Sequence, residues 1–333
     1  MSKLYIVEPG TALKVKHQQF QLVRQQQQLF KVPVNQIDCI NIIGYCHLSH
    51  GAIQTALYRK IPVTYYSPQG YYLGCLQAKS QPLASYVIAQ AKQAKNDKFI
   101  RQQAEIVVRA KLHNSRILLM RINRRHPNQV TQNAIAELKK IINCLDVHLS
   151  LESLRGYEGK GANIYFQGLS KLFQGEFTFT QRTSRPPQDP INSLLSFGYT
   201  LLCQHLTSKV QLARLHTDLG NLHTLRDNHP ALVLDLMEEF RAQIVDSLVI
   251  YLVNKKIFSA KDFTSHTGGA VYLKQEALKI FLKHWSQKIS TELTHPQSQH
   301  KISLDACLDL QVQEYIACLT GKNTEYRPMT WKK

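Results

Sequence analysis

No apolar run in this chain approaches the roughly 20 residues that a bilayer-spanning helix needs. The opening residues MSKLYIVEPG hold too short an apolar run for a secretory signal, and they enter directly what reads as a strand. Paired cysteines are missing as well. The seven cysteines (Cys39, Cys46, Cys75, Cys144, Cys203, Cys307 and Cys318) are scattered, odd in number and never in a CxxC spacing. That excludes a zinc ribbon and a disulfide scaffold, and predicts reduced thiols in a cytoplasmic protein. Acidic residues are scarce: 23 Asp and Glu stand against 41 Lys and Arg, for a formal net charge of +18. Such an imbalance predicts a polyanionic partner, nucleic acid before an anionic membrane surface. The basic residues do not lie on an amphipathic helix with an exposed apolar face, which leaves nucleic acid. No internal repeat is visible.

What is present is enough apolar material for a sizeable core, 44% of 333 residues, in two domains or one large one. Residues 1–80 read as β-rich, with short alternating or β-branched runs at Leu4–Val7, Leu13–Lys16, Phe20–Val23, Leu29–Val32, Ile37–Ile43, Ile61–Tyr66 and Tyr71–Leu76. One helix, about Ser49 to Arg59, interrupts them, and the four glutamines at 25–28 read as a hairpin tip. Gln77–Pro82 reads as a linker, and from Leu83 the pattern turns helical. The expected class is therefore α+β: a small N-terminal β-rich domain (1–80), joined by a hinge to a larger all-α C-terminal domain (81–333).

Within the helical part, Leu83–Arg124 has helical apolar spacing and a one-signed basic load. Arg101, Arg109, Lys111, Arg116, Arg121, Arg124 and Arg125 on that segment predict a phosphate-tracking surface. Further helices are expected at Thr131–Leu154, through Tyr165, Leu169 and Phe173, after Asp189 or Asn192, at Leu273–Thr291 and at Ile302–Thr320. The tail from Lys322 is basic and expected to be mobile.

The most informative stretch is Gly220–Val253, GNLHTLRDNHPALVLDLMEEFRAQIVDSLVIYLV. Past Pro230 it reads as one continuous helix. At about 100° per residue, Leu234, Met237, Ile244, Leu248 and Leu252 share an apolar arc that also contains Glu238. Glu239 points the other way, beside Asp246, where solvation is cheap. A carboxylate on the apolar side needs a cation, a hydrogen-bonding network or a metal. Arg241, three residues on, offers a simple ion pair. His223 upstream, and Glu158 among Gly156, Gly159 and Gly161, offer a metal site instead. Two carboxylates and an imidazole suit a hard divalent cation, Mg²⁺ or Mn²⁺, able to polarise a phosphodiester.

The segments GYEGKGANIYF, RPPQDPINSLLSFGYTLL and GNLHTLRDNHPALVLDLMEEFR together resemble the CRISPR spacer-acquisition integrase family, Cas protein one, in order and layout over essentially the whole chain. The resemblance implies a homodimer, and a Cas protein two dimer bridging two such dimers. It implies double-stranded DNA substrates, a captured fragment and a CRISPR repeat, joined by transesterification from a 3′-hydroxyl, with nuclease activity when water replaces the hydroxyl. It places metal ligands at Glu158, His223 and Glu238, with Asp235, one turn earlier, as an alternative third ligand. Periodicity favours Glu238 and gives Asp235 a flanking role, in which it pairs with a base or orients a ligand. Asn192 and Tyr199 fall on motif positions near the site, and Arg155, Lys160, Arg185, Arg226 and Arg241 are the expected phosphate contacts. Phe20, Tyr65 or Tyr71 is expected to stack on a DNA end. Two readings compete: a metal-dependent nuclease for branched DNA in repair, and a non-catalytic DNA-binding scaffold in which Glu238 merely pairs with Arg241.

Overall fold

The structure is a computed structural model that describes residues 2–78 and 81–332. The expected linker Gln77–Pro82 therefore lies partly outside the described residues. The chain is α+β, as expected, and forms two compact units. One gathers the described residues of Met1–Ser80 with Asp262–Thr264 and Tyr272–Ser286; the other holds the rest.

The first unit contains β1 (Ser2–Ile6), β2 (Thr11–Lys16), β3 (Gln19–Arg24), β4 (Gln27–Pro33), β5 (Ile37–Ile43), β6 (Cys46–Leu48), β7 (Val63–Tyr66) and β8 (Tyr72–Leu76). They form two four-stranded sheets, ordered β4-β3-β2-β6 and β1-β5-β7-β8. The glutamine run is a hairpin tip: Arg24 pairs with Gln27 across the β3–β4 turn, and Gln25 and Gln26 take the left-handed φ values of 46° and 67°. Helix α1 (His50–Tyr58) starts where the Ser49 hydroxyl accepts a hydrogen bond from the Ala52 amide, and it buries Ala52 and Ala56. Leu13, Ile40, Ile42 and Phe20 fill the core. Phe20 is thus fully buried and is no DNA-end aromatic, whereas Tyr71 is half exposed.

In the second unit, α2 (Ala84–Gln93) and α3 (Asp97–Asn123) divide the segment expected as one helix. The break is chemical: the Asn96 side chain accepts from the Phe99 amide at 3.3 Å and caps a new helix. Next come α4 (Gln129–Cys144), α5 (Leu151–Ser170) and α6 (Pro190–Leu212). Helices α3, α4 and α5 pack together through Leu112, Leu119, Leu138, Leu154 and Leu169. Small residues permit that packing: a Cβ on Gly161 would lie 2.4 Å from Leu112 Cδ2, and one on Gly168 2.7 Å from Ala134 Cβ. Gly156 and Gly159 face open space.

The expected straight helix after Pro230 is corrected. Helix α7 (Ala231–Met237) ends in a turn, a π-helical segment follows at Arg241–Asp246, and α8 (Ser247–Asn254) completes the run. The wider π turn changes the register of the residues after it, and the face opposite the apolar arc is covered as well. Glu239 and Asp246, expected to be solvated, are 0% and 1% exposed. Asp246 accepts hydrogen bonds from Tyr165 and Tyr199 hydroxyls at 2.6 and 2.5 Å. Burial nonetheless pushes its carboxyl from 3.8 up to about 6. The native state keeps this proton where the unfolded chain has released it, so its contribution to stability falls as pH rises from 3.8 to about 6. Thermal melts across that window should show a flatter profile for Asp246→Asn; parallel profiles would contradict this assignment.

Helix α9 (Gln275–Ile289) was expected in the helical domain, but Tyr272–Ser286 belongs to the first unit. The Gln275 amide donates to the Val7 carbonyl at 2.5 Å, Lys279 pairs with Glu8, and the Tyr272 ring packs edge-on against Tyr71. A short antiparallel pair, Glu292–Thr294 with Lys301–Ser303, precedes α10 (Leu304–Leu319) and escaped the sequence reading. The tail beyond it is docked rather than mobile through Trp331: Tyr326 is 3% and Met329 0% exposed. All seven cysteines are free, and among the described residues no helix is long and apolar enough to cross a membrane.

Candidate active site

Four segments of the helical unit converge on one cluster. Helix α5 carries Glu158, α3 carries Lys111, the segment between α6 and α7 carries His223, and the end of α7 carries Asp235, Glu238 and, just beyond it, Arg241.

His223 is positioned by its backbone. Gly220 lies so close to the start of α7 that a Cβ there would sit 2.5 Å from the Ala231 carbonyl carbon. This approach lets buried Asp235 accept from the amides of Asn221, Leu222 and His223 at 2.5, 3.0 and 3.0 Å. Asp235 Oδ1 also lies 2.7 Å from His223 Nδ1. With the Nδ1 proton donated there, Nε2 keeps its lone pair and lies 3.8 Å from Glu238 Oε1. Asp235 thus orients the imidazole, one of the two parts expected of it. Arg155 steadies the same loop by donating to the Leu222 carbonyl at 2.8 Å. Gly220→Ala should cost about 1–3 kcal/mol and displace His223, because the neighbour is backbone and cannot yield. Chemical denaturation reads the loss; unchanged stability would show that the loop relaxes freely.

Glu238 is 3% exposed, and its Oε2 stands 2.8 Å from Lys111 Nζ and 2.9 Å from Arg241 Nε. Neither contact has hydrogen-bond alignment, so this oxygen and Arg241 Nε are both buried without a hydrogen-bond partner among the described residues. Burial raises the Glu238 pKa, but Arg241, Lys111 and His223 outweigh it and hold the carboxyl at about 2. Arg241 is also stacked over the Tyr199 ring, 4.8 Å from its centroid, and Arg182 lies over the same ring at 5.4 Å. Lys111 bridges onward to Glu158 Oε1. Burial works against the Lys111 charge, yet Glu238 and Glu158 raise its pKa.

Among the described residues, no three His, Cys, Asp or Glu side chains stand close enough to form a ready metal cage. Glu158 and Glu238 meet through the Lys111 ammonium instead. The donor set still fits a hard divalent cation: two carboxylates and an imidazole nitrogen kept available by Asp235.

The expected phosphate contacts divide by environment. Lys160, Arg185 and Arg226 are exposed near the cluster's segments. Arg155 and Arg241 are engaged as described. Asn192 is 0% exposed, accepts from Arg182 and from the Thr183 amide, and donates to the Gln181 carbonyl. Tyr199 is buried against Asp246 and Arg241. These two expected nucleic-acid contacts therefore meet protein rather than solvent. The basic face expected on α3 is partly inward too: Arg109 donates to the Ile142 and Leu145 carbonyls, Arg116 to that of Ile135, and Arg121 to that of Lys332. Lys111 was read as part of that face. Its spacing held the opposite signal, since it follows buried Val107 by four and Val108 by three residues.

A family profile described as "CRISPR associated protein Cas1" matches residues 4–287. A CRISPR-associated endonuclease Cas1 of Thermus thermophilus is 30% identical over 328 residues, 98% of each chain. Another, from Rhodospirillum rubrum, is 30% identical over 100% of this chain and 99% of its own. Among solved structures, a Cas1 protein from Thermotoga maritima superposes with a TM-score of 0.81 at 22% identity over 100% of both chains. A casposase bound to integration product gives 0.84 at 21% identity over 99% of this chain and 95% of that one. A chain of a Cas6-RT-Cas1–Cas2 complex gives 0.83 at 24% identity, covering all of this chain and 36% of that one. These likenesses show a shared fold. The profile match, and relatives at 30% identity aligned almost end to end, place this chain in the CRISPR-associated Cas1 family.

Proposed function

We propose that this protein is a divalent-metal-dependent DNA integrase and endonuclease of CRISPR adaptation. It joins 3′-hydroxyl ends of a captured fragment to a CRISPR repeat by transesterification. The observation that carries the reading is the convergence of Glu158, His223 and Glu238 from three segments, with Asp235 setting the imidazole. Family membership, a casposase neighbour bound to integration product and a neighbour chain from a Cas1–Cas2 complex support it.

Glu158, Glu238 and His223 Nε2 would hold Mg²⁺ or Mn²⁺, which when bound supplies polarisation of the scissile phosphodiester and charge stabilisation at the reacting phosphate. The protein's own part is positional. Asp235 fixes the imidazole ring, Arg241 keeps Glu238 ionised, and Tyr199 and Asp246 hold Arg241 in place. Lys160, Arg185 and Arg226 are the exposed groups proposed to meet DNA phosphates. The proposed partners are a second copy of this chain and a Cas2 dimer bridging two such dimers.

One observation favours the scaffold reading: Glu238 does pair with Arg241. Against it stands the His223 imidazole, which Asp235 orients with Nε2 towards Glu238. Purified protein with Cas2, 3′-hydroxyl DNA ends and a repeat-bearing plasmid decides the matter with Mg²⁺ or Mn²⁺ set against EDTA. Metal-dependent joining establishes the integrase, cutting without joining favours a repair nuclease, and neither reaction leaves the scaffold.

A further inference from the structure

The carboxylates of Glu158 and Glu238 are held together by a cation the chain itself supplies. Lys111 Nζ bridges Glu158 Oε1 and Glu238 Oε2, on two different segments. Its backbone is fixed from both sides. Gly161 brings α5 against Leu112, the next residue on α3. Asn114, three residues on, donates to the Glu239 carbonyl at 2.8 Å, one position from Glu238. Movement is therefore left to the lysine's flexible four-carbon stem.

The charges set a constraint. Without metal, Lys111 and Arg241 balance Glu158 and Glu238, and Asp235, held by His223 and three amides, adds one negative charge. A divalent cation added to that set leaves an excess of positive charge in a largely buried place, which is costly unless one resident cation leaves. Arg241 is stacked on Tyr199 and its guanidinium is rigid. Lys111 ends in an ammonium on a flexible stem, and it pairs with the two carboxylates that a metal would take.

We propose that Lys111 is a built-in counter-cation that keeps the metal-free site assembled and is exchanged for the divalent ion. This rests on the metal-site reading above. Metal loading is then an exchange of one cation for another, and Lys111 and the metal oppose each other's binding to the carboxylates.

Calorimetric titration of the full-length protein with Mn²⁺, alongside thermal melts with and without Mn²⁺, tests the exchange. Lys111→Met should bind Mn²⁺ more tightly than wild type, by a factor of about 5–150. Its metal-free melting point should drop, and Mn²⁺ should raise it by more than in wild type. Lys111→Gln, which keeps a polar donor for the carboxylates, should bind with intermediate affinity and serves if the methionine variant does not fold. Equal affinities in wild type and both variants, or weaker binding in the variants, overturn the exchange while leaving the metal site standing. Absence of Mn²⁺ binding in all of them, or binding unaffected by Glu158→Gln and Glu238→Gln, overturns the metal site and the exchange with it.

Discussion

Glu238→Gln should lower metal-dependent DNA joining by about 10²–10³-fold while leaving the fold intact. The substitution keeps the side chain's volume but removes the charge that Arg241 and Lys111 hold ionised at about pKa 2. The amide is a poor ligand for a hard cation, so loss of joining reports on chemistry rather than packing. Alanine is the less informative replacement, because it also opens a cavity beside the two buried cations that either substitution leaves without their carboxylate. Glu158→Ala and His223→Ala should fall by similar factors, and Asp235→Asn by about 10–100-fold through a wrongly presented imidazole. Gel quantification of joined product, with melting curves as the fold control, separates the outcomes. Joining that survives Glu238→Gln would make Glu238 a structural partner of Arg241.

The largest effect on stability is expected one residue later. Glu239 is fully buried and joins three parts of the helical unit. It accepts from the Met329 amide at 2.6 Å and from Gln311 at 3.1 Å, and it bonds the Tyr326 hydroxyl. Glu239→Ala orphans these groups in a dry interior and should cost about 3–5 kcal/mol, with release of the Tyr326–Trp331 segment from its seat. Glu239→Gln should cost less than about 1.5 kcal/mol near neutral pH. Burial pushes the carboxyl up to about 8 against its hydrogen bonds, so the native side chain is mostly neutral there. A carboxamide mimics that form, with its NH₂ towards the Tyr326 oxygen and its carbonyl towards the Met329 and Gln311 donors. Urea denaturation reads the stability difference, and limited proteolysis near residue 326 reads release of the tail. Equal costs for the two substitutions would mean that Glu239 is charged in the native state.

These two neighbours show where local sequence stops informing. The strands and the glutamine hairpin of the N-terminal sheets were legible because their runs are short and either β-branched, as in β5, or alternating, as in β3, where Phe20 and Leu22 are buried between more exposed neighbours. Glu238 was legible as a charge at an apolar position, whereas for Asp235 the spacing gave only a flanking place. The same periodicity assigned Glu239 and Asp246 to solvent, but the tail covers Glu239, and Tyr165 and Tyr199 cover Asp246. A helix buried on all sides presents no polar face from which to read direction.

Residues distant along the chain were settled only by tertiary packing. The sequence alone determined the charge balance, the α+β division and the three motifs, since each is carried by composition or short-range spacing. Lys111's grip on Glu158 and Glu238, the docking of the tail on Glu239 and the assignment of Tyr272–Ser286 to the first unit depend on partners far away in sequence. Such contacts follow from which helices approach closely, as Gly161 allows α5 to approach α3 and Gly220 allows the His223 loop to approach α7. Interhelical distance is a property of the packed molecule, and no local period encodes it.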